Sequence, residues 1–356
     1  MGLIEANIVV FLHTRNRPEF VIRAIKSFRM ISQAPVIILD ASDEIDLKRL
    51  KDSIETQRIQ LGEIHLVHHS GEESISRRFF TAIEMSSSSF IYLMADDDLV
   101  MPGFPNLVKV LNSNPDSVAA YGETFSFQVR EGFVPYGALD FFKEDKPNPE
   151  AAWLEDDSVQ DRLLELSKRP LSTLGWYALH RRASFEELVR AAQAKNCSQI
   201  DFEFILNVMQ PVLGKVIKLQ QPCLARQANQ KGYLRVNKRI HGYDHYSEPL
   251  IRVVTEKLQT DYKLTSDYAR RLVLQALEKD KKELEKFSWR QIQILNKLLG
   301  RYPVLNSIIA RIRKKAQARF IAPDFRFQMA SGTSHSIALR FVLDCISPLE
   351  LTTESN

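Results

Sequence analysis

Several common signals are missing from this 356-residue chain. Every apolar run is shorter than the roughly 20 residues of a membrane span. The first residues lack the basic and apolar regions of a signal peptide and the Ser or Thr of a myristoylation site. Neither a Gly-x-Gly-x-x-Gly nor a Walker sequence occurs, and internal repeats and low-complexity tracts are absent. We therefore expect a cytoplasmic globular protein.

Cysteine is scarce, and charge is unevenly spread. Cys197, Cys223 and Cys345 are far apart and odd in number, which fits reduced thiols better than disulfides or a zinc site. Residues 250–356 carry 19 Lys and Arg against 11 Asp and Glu, whereas residues 1–249 carry 29 against 33. A mildly acidic body with a basic end indicates two parts with different partners. We expect no nucleic acid among them.

The first hundred residues alternate between two kinds of pattern. Short apolar runs rich in β-formers predict buried strands at residues 7–12, 36–39, 64–67 and 90–94. Between them, apolar residues at helical spacing predict helices from Pro18, over 45–57 and over 75–85. Alternation at these lengths predicts an α/β fold with a largely parallel sheet and right-handed crossovers.

Polar or charged residues follow three of these strands. They are the turns 14–17, 40–43 and 96–98. Because the carboxyl ends of parallel strands share one edge, a nucleotide-binding crevice is expected there. The run Asp96-Asp97-Asp98 is self-repulsive, and Mg²⁺ or Mn²⁺ would relieve that repulsion because both prefer oxygen ligands. The alternative is a solvated turn in which Asp98 caps the next element.

The remaining chain predicts two further regions. Residues 130–160 are predicted to form a long loop, followed by strands at 174–180 and 215–219 and helices at 185–194 and 202–209. From about residue 248 the pattern is helical. We therefore predict a domain at 1–245, with halves 1–125 and 126–245, and a basic α-helical region at 246–356.

Residues 6–125 resemble the GT-A glycosyltransferases related to glycosyltransferase family 2. The matching segments are Val9 to Phe20, Ile37 to Asp43, the helix with Arg77, and Tyr92 to Pro102. The resemblance implies a Rossmann-like GT-A fold. Two departures are present: Ala95 stands where the family's commonest pattern has its first Asp, and residues 71–74 replace a Gly-rich, Asn-containing turn.

The resemblance implies an inverting, metal-dependent glycosyltransferase. Its donor would be a nucleotide-diphosphate sugar, with a UDP-sugar favoured, and its acceptor a hydroxyl of a glycan or a lipid-linked glycan. Asp40 would contact the base and Asp96 the ribose, with further base and ribose contacts from Thr14, Asn16 and Ser42. Arg77 or Arg15 would contact the diphosphate. Asp97 would bind Mn²⁺ or Mg²⁺, with Asp98 beside it as a further metal contact or a cap.

Two carboxylates stand where the family carries its general base. Asp201 and Glu203 are two residues apart, so on a helix they point about 200° apart and only one faces the site. Asp201 also fits a capping box with Ser198. Both roles are compatible, because a helix N-terminus keeps a carboxylate ionised. We favour Asp201 over Glu203.

Two other classes of protein stay open. A nucleotide-sugar pyrophosphorylase would require a Gly-rich basic loop after the first strand, and residues 13–18 contain no Gly. A non-catalytic binding or scaffold protein with a degenerate GT-A fold fits Ala95.

The basic end has its own pattern. Residues 286–323 contain nine Lys and Arg and no Asp or Glu, with an apolar stripe at helical spacing from Leu305 to Ala316. Such a helix either lies in an anionic membrane surface or packs on the catalytic domain or on a sister subunit of a homo-oligomer.

Overall fold

The computed structural model describes residues 7–129, 139–143, 154–168, 173–193, 199–227 and 248–286, with 341, 342 and 345. Its strands are β1 (Ile8–Thr14), β2 (Val36–Asp40), β3 (Ile64–His68), β4 (Phe90–Ala95), β5 (Leu99–Val100), β6 (Ser117–Val129), β7 (Leu139–Lys143), β8 (Leu179–Arg181) and β9 (Lys215–Gln227). Within these ranges one sheet runs in the order β3-β2-β1-β4-β8-β6-β9-β5, with β7 beside β6. The predicted α/β class is confirmed.

The helices of the described ranges flank this sheet. They are α1 (Pro18–Arg29), α2 (Glu44–Thr56), α3 (Arg58–Leu61), α4 (Ile75–Glu84), α5 (Phe104–Ser113), α6 (Val159–Ser167), α7 (Arg182–Gln193), α8 (Gln199–Leu213), α9 (Glu248–Tyr262) and α10 (Ser266–Lys286). A 3₁₀ helix spans Thr173–Tyr177. Pro18 opens α1 as predicted, and the Asp43 and Ser74 side chains cap α2 and α4.

The central strands are buried on both faces, and alternate side chains enter separate cores. Phe11 and Leu93 belong to one core with α4, α7 and α8. Val10, Leu12 and Tyr92 belong to the other, with α1 and α5. Strands β1, β2 and β4 therefore read as nearly continuous apolar runs in the sequence, as parallel strands covered by helices on both sides do, whereas the edge strand β3 is partly exposed.

The second half of the sheet departs from the predicted pattern. Strand β8 is antiparallel to β4 and β6, and β7 is antiparallel to β6. The strand predicted at 174–180 is wrong in its first part, because Gly175 and Trp176 lie in the 3₁₀ helix. The backbone of Trp176 therefore does not pair in the sheet, and its aromatic side chain packs edge-on against Phe79 and Phe202.

Strand β9 is longer than predicted. The sequence placed its end before Pro222, but the strand continues to Gln227. Its parallel pairing with β6 shifts register between Tyr121 and Glu123, and Pro222 lies opposite Glu123. A bulge tolerates the missing N–H of proline. Gly122 sits at the same place, where a Cβ would lie 2.7 Å from the Gln221 carbonyl oxygen.

Helices α9 and α10 share the core of the α/β unit. Leu250, Val254 and Leu258 of α9, with Val273 of α10, are buried in the same cluster as Leu163 of α6. The described part of the predicted C-terminal region therefore shares a hydrophobic core with the α/β unit, and the domain boundary near residue 245 stays a prediction.

Some expectations fall outside the described residues. They concern residues 130–138 and 144–153 of the predicted loop, Ser198 of the predicted capping box, Cys197, and the basic stretch 287–323. In the described part of the chain, none of the helices combines the length and the apolar character that crossing a bilayer requires.

A buried histidine makes stability depend on pH. The His180 ring is fully buried, its Nε2 lies 2.8 Å from the Gly175 carbonyl oxygen, and its Nδ1 lies 3.0 Å from Nε2 of Gln210. Burial lowers the pKa of His180 from 6.5 to about 4, although the Gly175 carbonyl raises it. The unfolded chain therefore binds a proton between these pH values that the folded protein does not bind.

We predict that His180 alone removes about 3 kcal/mol of stability as the pH falls from 6.5 to 4. His180→Gln should flatten the dependence of the free energy of unfolding on pH over this window. The slope is the readout, because the substitution also changes stability at every pH. The exposed His65 provides the control, and His65→Gln should keep the wild-type slope. An unchanged slope in His180→Gln would contradict the assignment.

Candidate active site

The strand order reverses between β1 and β4. Strand β1 is followed on one side by β2 and β3, and β4 lies on the other side, all parallel. In open α/β sheets ligands bind beyond the carboxyl ends of the strands at such a point. Thr14 ends β1, and Ala95, which ends β4, pairs with His13. The predicted polar turns after β1, β2 and β4 therefore lie along one edge of the sheet.

A shared cation links two of these turns. Nη1 of Arg17 donates to Oδ1 of Asp96 and to Oδ2 of Asp97, each at 2.9 Å. The Thr14 hydroxyl donates to Oδ2 of Asp96 at 2.7 Å. The Asp96 side chain is 8% exposed and that of Asp97 18%. Asp96 is therefore held on both oxygens, whereas Arg17 binds one oxygen of Asp97, whose side chain is the more exposed of the two.

Burial and mutual repulsion perturb this turn. Burial, followed by the Asp97 carboxylate, raises the pKa of Asp96 to about 6, and Arg17 and the Thr14 hydroxyl oppose the rise. For Arg17, burial lowers the pKa, but the two carboxylates together raise it above its ordinary value. The repulsion predicted for the acidic run is thus present, and a guanidinium compensates part of it.

Asp98 turns toward the end of β9. Its side chain is buried, and Oδ1 accepts from the backbone N–H of Gln227 at 3.3 Å. Oδ2 is buried without a hydrogen-bond partner among the described residues. Burial and the Asp97 carboxylate raise the pKa of Asp98 well above its ordinary range, against the lowering effect of the Arg226 guanidinium and the Tyr177 hydroxyl.

Asp40 is held in a network at the end of β2. The side chain is fully buried. Its Oδ1 accepts from the Ser42 hydroxyl at 2.5 Å, and Oδ2 accepts from the Ser42 N–H at 3.2 Å and lies 2.9 Å from Nδ1 of His68. Asn16, in the left-handed region at φ 57°, donates its N–H to the Ser42 hydroxyl. These groups bind one another, and their contacts with a nucleoside stay predictions.

The arginines predicted to contact phosphate differ in position. Arg15 is exposed, and its guanidinium lies beside Gly71. The Arg77 side chain is 66% exposed and lies 3.8 Å from Glu73, on the outer face of α4. Its neighbour Arg78 is half-buried, donates to the carbonyl oxygens of Ser70 and Gly71, and lowers the pKa of His13. Arg78 is therefore the arginine of α4 that is directed toward the sheet edge.

The first turn of α8 approaches the same edge from the other core. Phe202 packs against Trp176, and the Trp176 ring lies 4.8 Å from that of His13 near the end of β1. Asp201 is half-buried, and Glu203 is buried. Burial lowers the pKa of His13 to about 4, and its Nδ1 is buried without a partner among the described residues. Three aromatic rings thus connect the predicted base to the predicted donor site.

Sequence reasoning did not single out Arg17, Arg78 or His68 as site residues. Arg17 lies in the turn that was selected, but nothing in the sequence shows that it reaches across 79 residues to Asp96. His68 ends β3 as Asp40 ends β2, and the two are in register. Asp40 was selected because it is a polar residue at the carboxyl end of a parallel strand, and the same criterion applies to His68.

Comparisons with known proteins give distant structural likenesses. No protein-family model matches the sequence, and no curated protein matches it. The S. aureus TarS 1-349 structure in complex with UDP is 12% identical, with 76% of this chain and 70% of that chain covered and a TM-score of 0.47. The UDP-GlcNAc complex of the same fragment is 13% identical, with 77% of this chain and 72% of that chain covered and a TM-score of 0.48.

A third structure is the mannosyltransferase PcManGT from Pyrobaculum calidifontis in complex with GDP-Man and Mn²⁺. It is 14% identical, with 89% of this chain and 85% of that chain covered and a TM-score of 0.42.

We predict that Arg17→Met destabilises the protein by about 3 kcal/mol, because two mostly buried carboxylates lose their shared cation. Chemical denaturation at pH 7 measures the change. The control is Arg49→Met, since Arg49 is 62% exposed and pairs with Asp46 on the surface of α2; that change should cost at most about 1 kcal/mol. Equal losses in the two variants would show that the Arg17 contact contributes little.

Proposed function

We propose that this chain transfers a sugar from a nucleotide-diphosphate sugar to a hydroxyl of a glycan or a lipid-linked glycan. The observation that carries the proposal is the Asp96–Asp97 turn at the reversal of strand order, joined by Arg17 to the end of β1. A diphosphate donor needs cations and hard oxygen ligands where its leaving group develops charge. This edge supplies carboxylates and arginines side by side.

The donor lies along the carboxyl edge of β1, β2 and β4. In this proposal Asp96 faces the ribose, and Thr14, Asn16, Asp40 and Ser42 form the nucleoside side of the crevice. Arg15 lies on an exposed loop at the same edge, where its guanidinium can make charge-assisted contacts to phosphate. Arg77 could contact the phosphates only if the outer face of α4 were turned toward the donor. Arg78 is therefore the better placed of the two arginines.

The donor set suits a hard divalent cation. The buried Oδ2 of Asp98 has no partner among the described residues, and the neighbouring Asp97 carboxylate repels it. Mn²⁺ or Mg²⁺ would relieve both conditions and, when bound, would neutralise the departing diphosphate. No cluster of three or more His, Cys, Asp or Glu is arranged for metal in the described ranges. In this proposal Asp97 and Asp98 would hold the cation, which would supply positive charge beside the leaving diphosphate.

The acceptor hydroxyl requires a base on the opposite side of the donor sugar. Asp201 is the proposed base, because it is only half-buried in the first turn of α8 and a helix N-terminus stabilises its charge. Glu203 is the second candidate and is more deeply buried. One direct displacement assisted by such a base inverts the anomeric centre. A peripheral membrane contact through residues 286–323 and a homo-oligomer belong to the same proposal.

The alternative is a binding or scaffold protein on a degenerate GT-A fold. Ala95 favours it, since the carboxylate that would begin the acidic run is missing. A pyrophosphorylase is disfavoured because the turn after β1 contains no Gly. Screening nucleotide sugars by thermal shift with and without Mn²⁺ separates binding from no binding. Sugar release from the bound donor then separates an enzyme from a scaffold.

We predict that Asp97→Asn abolishes sugar transfer and donor hydrolysis measured with Mn²⁺ present. The fold should persist, because the change removes one charge from a repulsive pair. Asp46→Asn is a matched control, since Asp46 is also 18% exposed and also paired with an arginine. Asp98→Asn should matter less. Turnover near that of the wild type in Asp97→Asn would exclude Asp97 as the metal ligand.

We predict that Asp201→Asn lowers turnover by roughly 10²- to 10⁴-fold, the usual contribution of a positioned base. Donor affinity should hardly change, because the base contacts the acceptor. Glu203→Gln is the internal control and should retain most activity. Normal turnover in Asp201→Asn with an inactive Glu203→Gln would move the role to Glu203, and two active variants would place the base elsewhere.

A further inference from the structure

The residue that faces outward at the end of β3 is His68. It is in register with Asp40 of β2, which is in register with Thr14 of β1. The His68 side chain is 40% exposed, whereas that of Asp40 is fully buried. The nucleoside side of the crevice therefore presents an imidazole, and the Asp40 carboxylate lies behind it.

The oxygens of Asp40 are already engaged. They receive the Ser42 hydroxyl, the Ser42 N–H and Nδ1 of His68. A nucleobase would have to displace one of these contacts to reach Asp40 directly, and a buried carboxylate is costly to leave without donors. Reading of the base through His68 requires no such rearrangement.

The contact with Asp40 also fixes what His68 offers. An ionised carboxylate only accepts hydrogen bonds, so Nδ1 of the neutral ring carries the proton and donates to Oδ2 of Asp40. Nε2 is then an acceptor. No hydrogen bond from a described residue engages Nε2, and the His68 side chain is 40% exposed. An acceptor matches a base that carries a ring N–H and opposes a base with a ring lone pair there.

The loops on either side support a nucleotide at this position. The His69 N–H donates to the Asp40 carbonyl oxygen at 2.8 Å, which fixes the chain directly after His68. Gly71 brings this loop against the Arg15 guanidinium, where a Cβ would lie 3.3 Å from Nη2. The Arg15 guanidinium thus lies against the loop that follows His68, where it could make a charge-assisted contact to a phosphate.

We propose that His68, oriented by Asp40, selects the nucleobase of the donor by accepting a hydrogen bond from a ring N–H. The bases that carry one are uracil and guanine, whereas cytosine and adenine present a lone pair at the equivalent ring nitrogen. This inference rests on the proposed function, because it assumes a nucleotide donor at the edge of the sheet.

The test measures the dissociation constants of UDP, GDP, CDP and ADP for the full chain in the presence of Mn²⁺. The wild type should bind UDP or GDP more tightly than CDP and ADP, and the UDP and GDP arms distinguish the two bases. His68→Phe should weaken the preferred ligand by roughly 5- to 10-fold, the contribution of one neutral hydrogen bond. Binding of CDP should stay unchanged, so the preference collapses.

The matched control is His65→Phe. His65 lies on the same strand and beside a carboxylate, Glu63, at 3.2 Å, but three residues away from the carboxyl edge. The His65→Phe variant should bind the four nucleotides with the affinities of the wild type. Melting temperatures of both variants exclude misfolding as the cause.

Two results would overturn the role of His68 and leave the proposed function standing. One is a wild type that binds CDP or ADP as tightly as UDP and GDP, and the other is a base preference that survives His68→Phe. The second result would return base reading to Asp40. Failure of the wild type to bind any of the four nucleotides would instead overturn the proposed function, and this inference with it.

Discussion

The guanidinium of Arg17 holds the turn after β1 against the turn after β4. Two carboxylates on adjacent residues repel each other most strongly where they are least hydrated, and Asp96 is almost fully buried. Arg17 reduces that repulsion and, with the Thr14 hydroxyl, fixes the orientation of Asp96. The turns after β1 and β4 keep their relative positions because these contacts join them. The proposed positions of donor and cation depend on that arrangement.

Much of the first half of the fold was predictable from the sequence. Strands β1, β2 and β4 are short, nearly continuous apolar runs, and the cores on both faces of the sheet require such runs. The second half was less predictable because tertiary packing overrides the local pattern. The segment around Trp176 has the composition of a strand, yet it forms a 3₁₀ helix in which the Trp176 side chain is buried against Phe79. Pro222 reads as a strand end, but the bulge opposite Glu123 accommodates it.

The candidate site was predictable at the level of the strand end and not at that of the side chain. Strand ends can be located from the sequence, so the turns with Thr14, Asp40 and Asp96 were found. Which neighbour points inward depends on the rotation of a helix or the twist of a strand. That rotation turns Arg78 toward the edge and Arg77 toward solvent, although both occupy the same turn of α4. In the same way, the twist of strands β2 and β3 leaves the His68 side chain exposed and buries that of Asp40.

The contacts of the acidic turn have a consequence for how the protein folds. The Arg17–Asp96 pair closes a loop of 79 residues, Gln227 binds Asp98 across 129, and Arg23 binds Gln227 across 204. Contacts so distant along the chain form only after their loops have closed. During synthesis, the end of β9 therefore reaches the acidic turn long after β1 to β4 can pair. The region where chemistry is proposed is then completed only after β1 to β4 can pair, and detachment of β9 would open it locally.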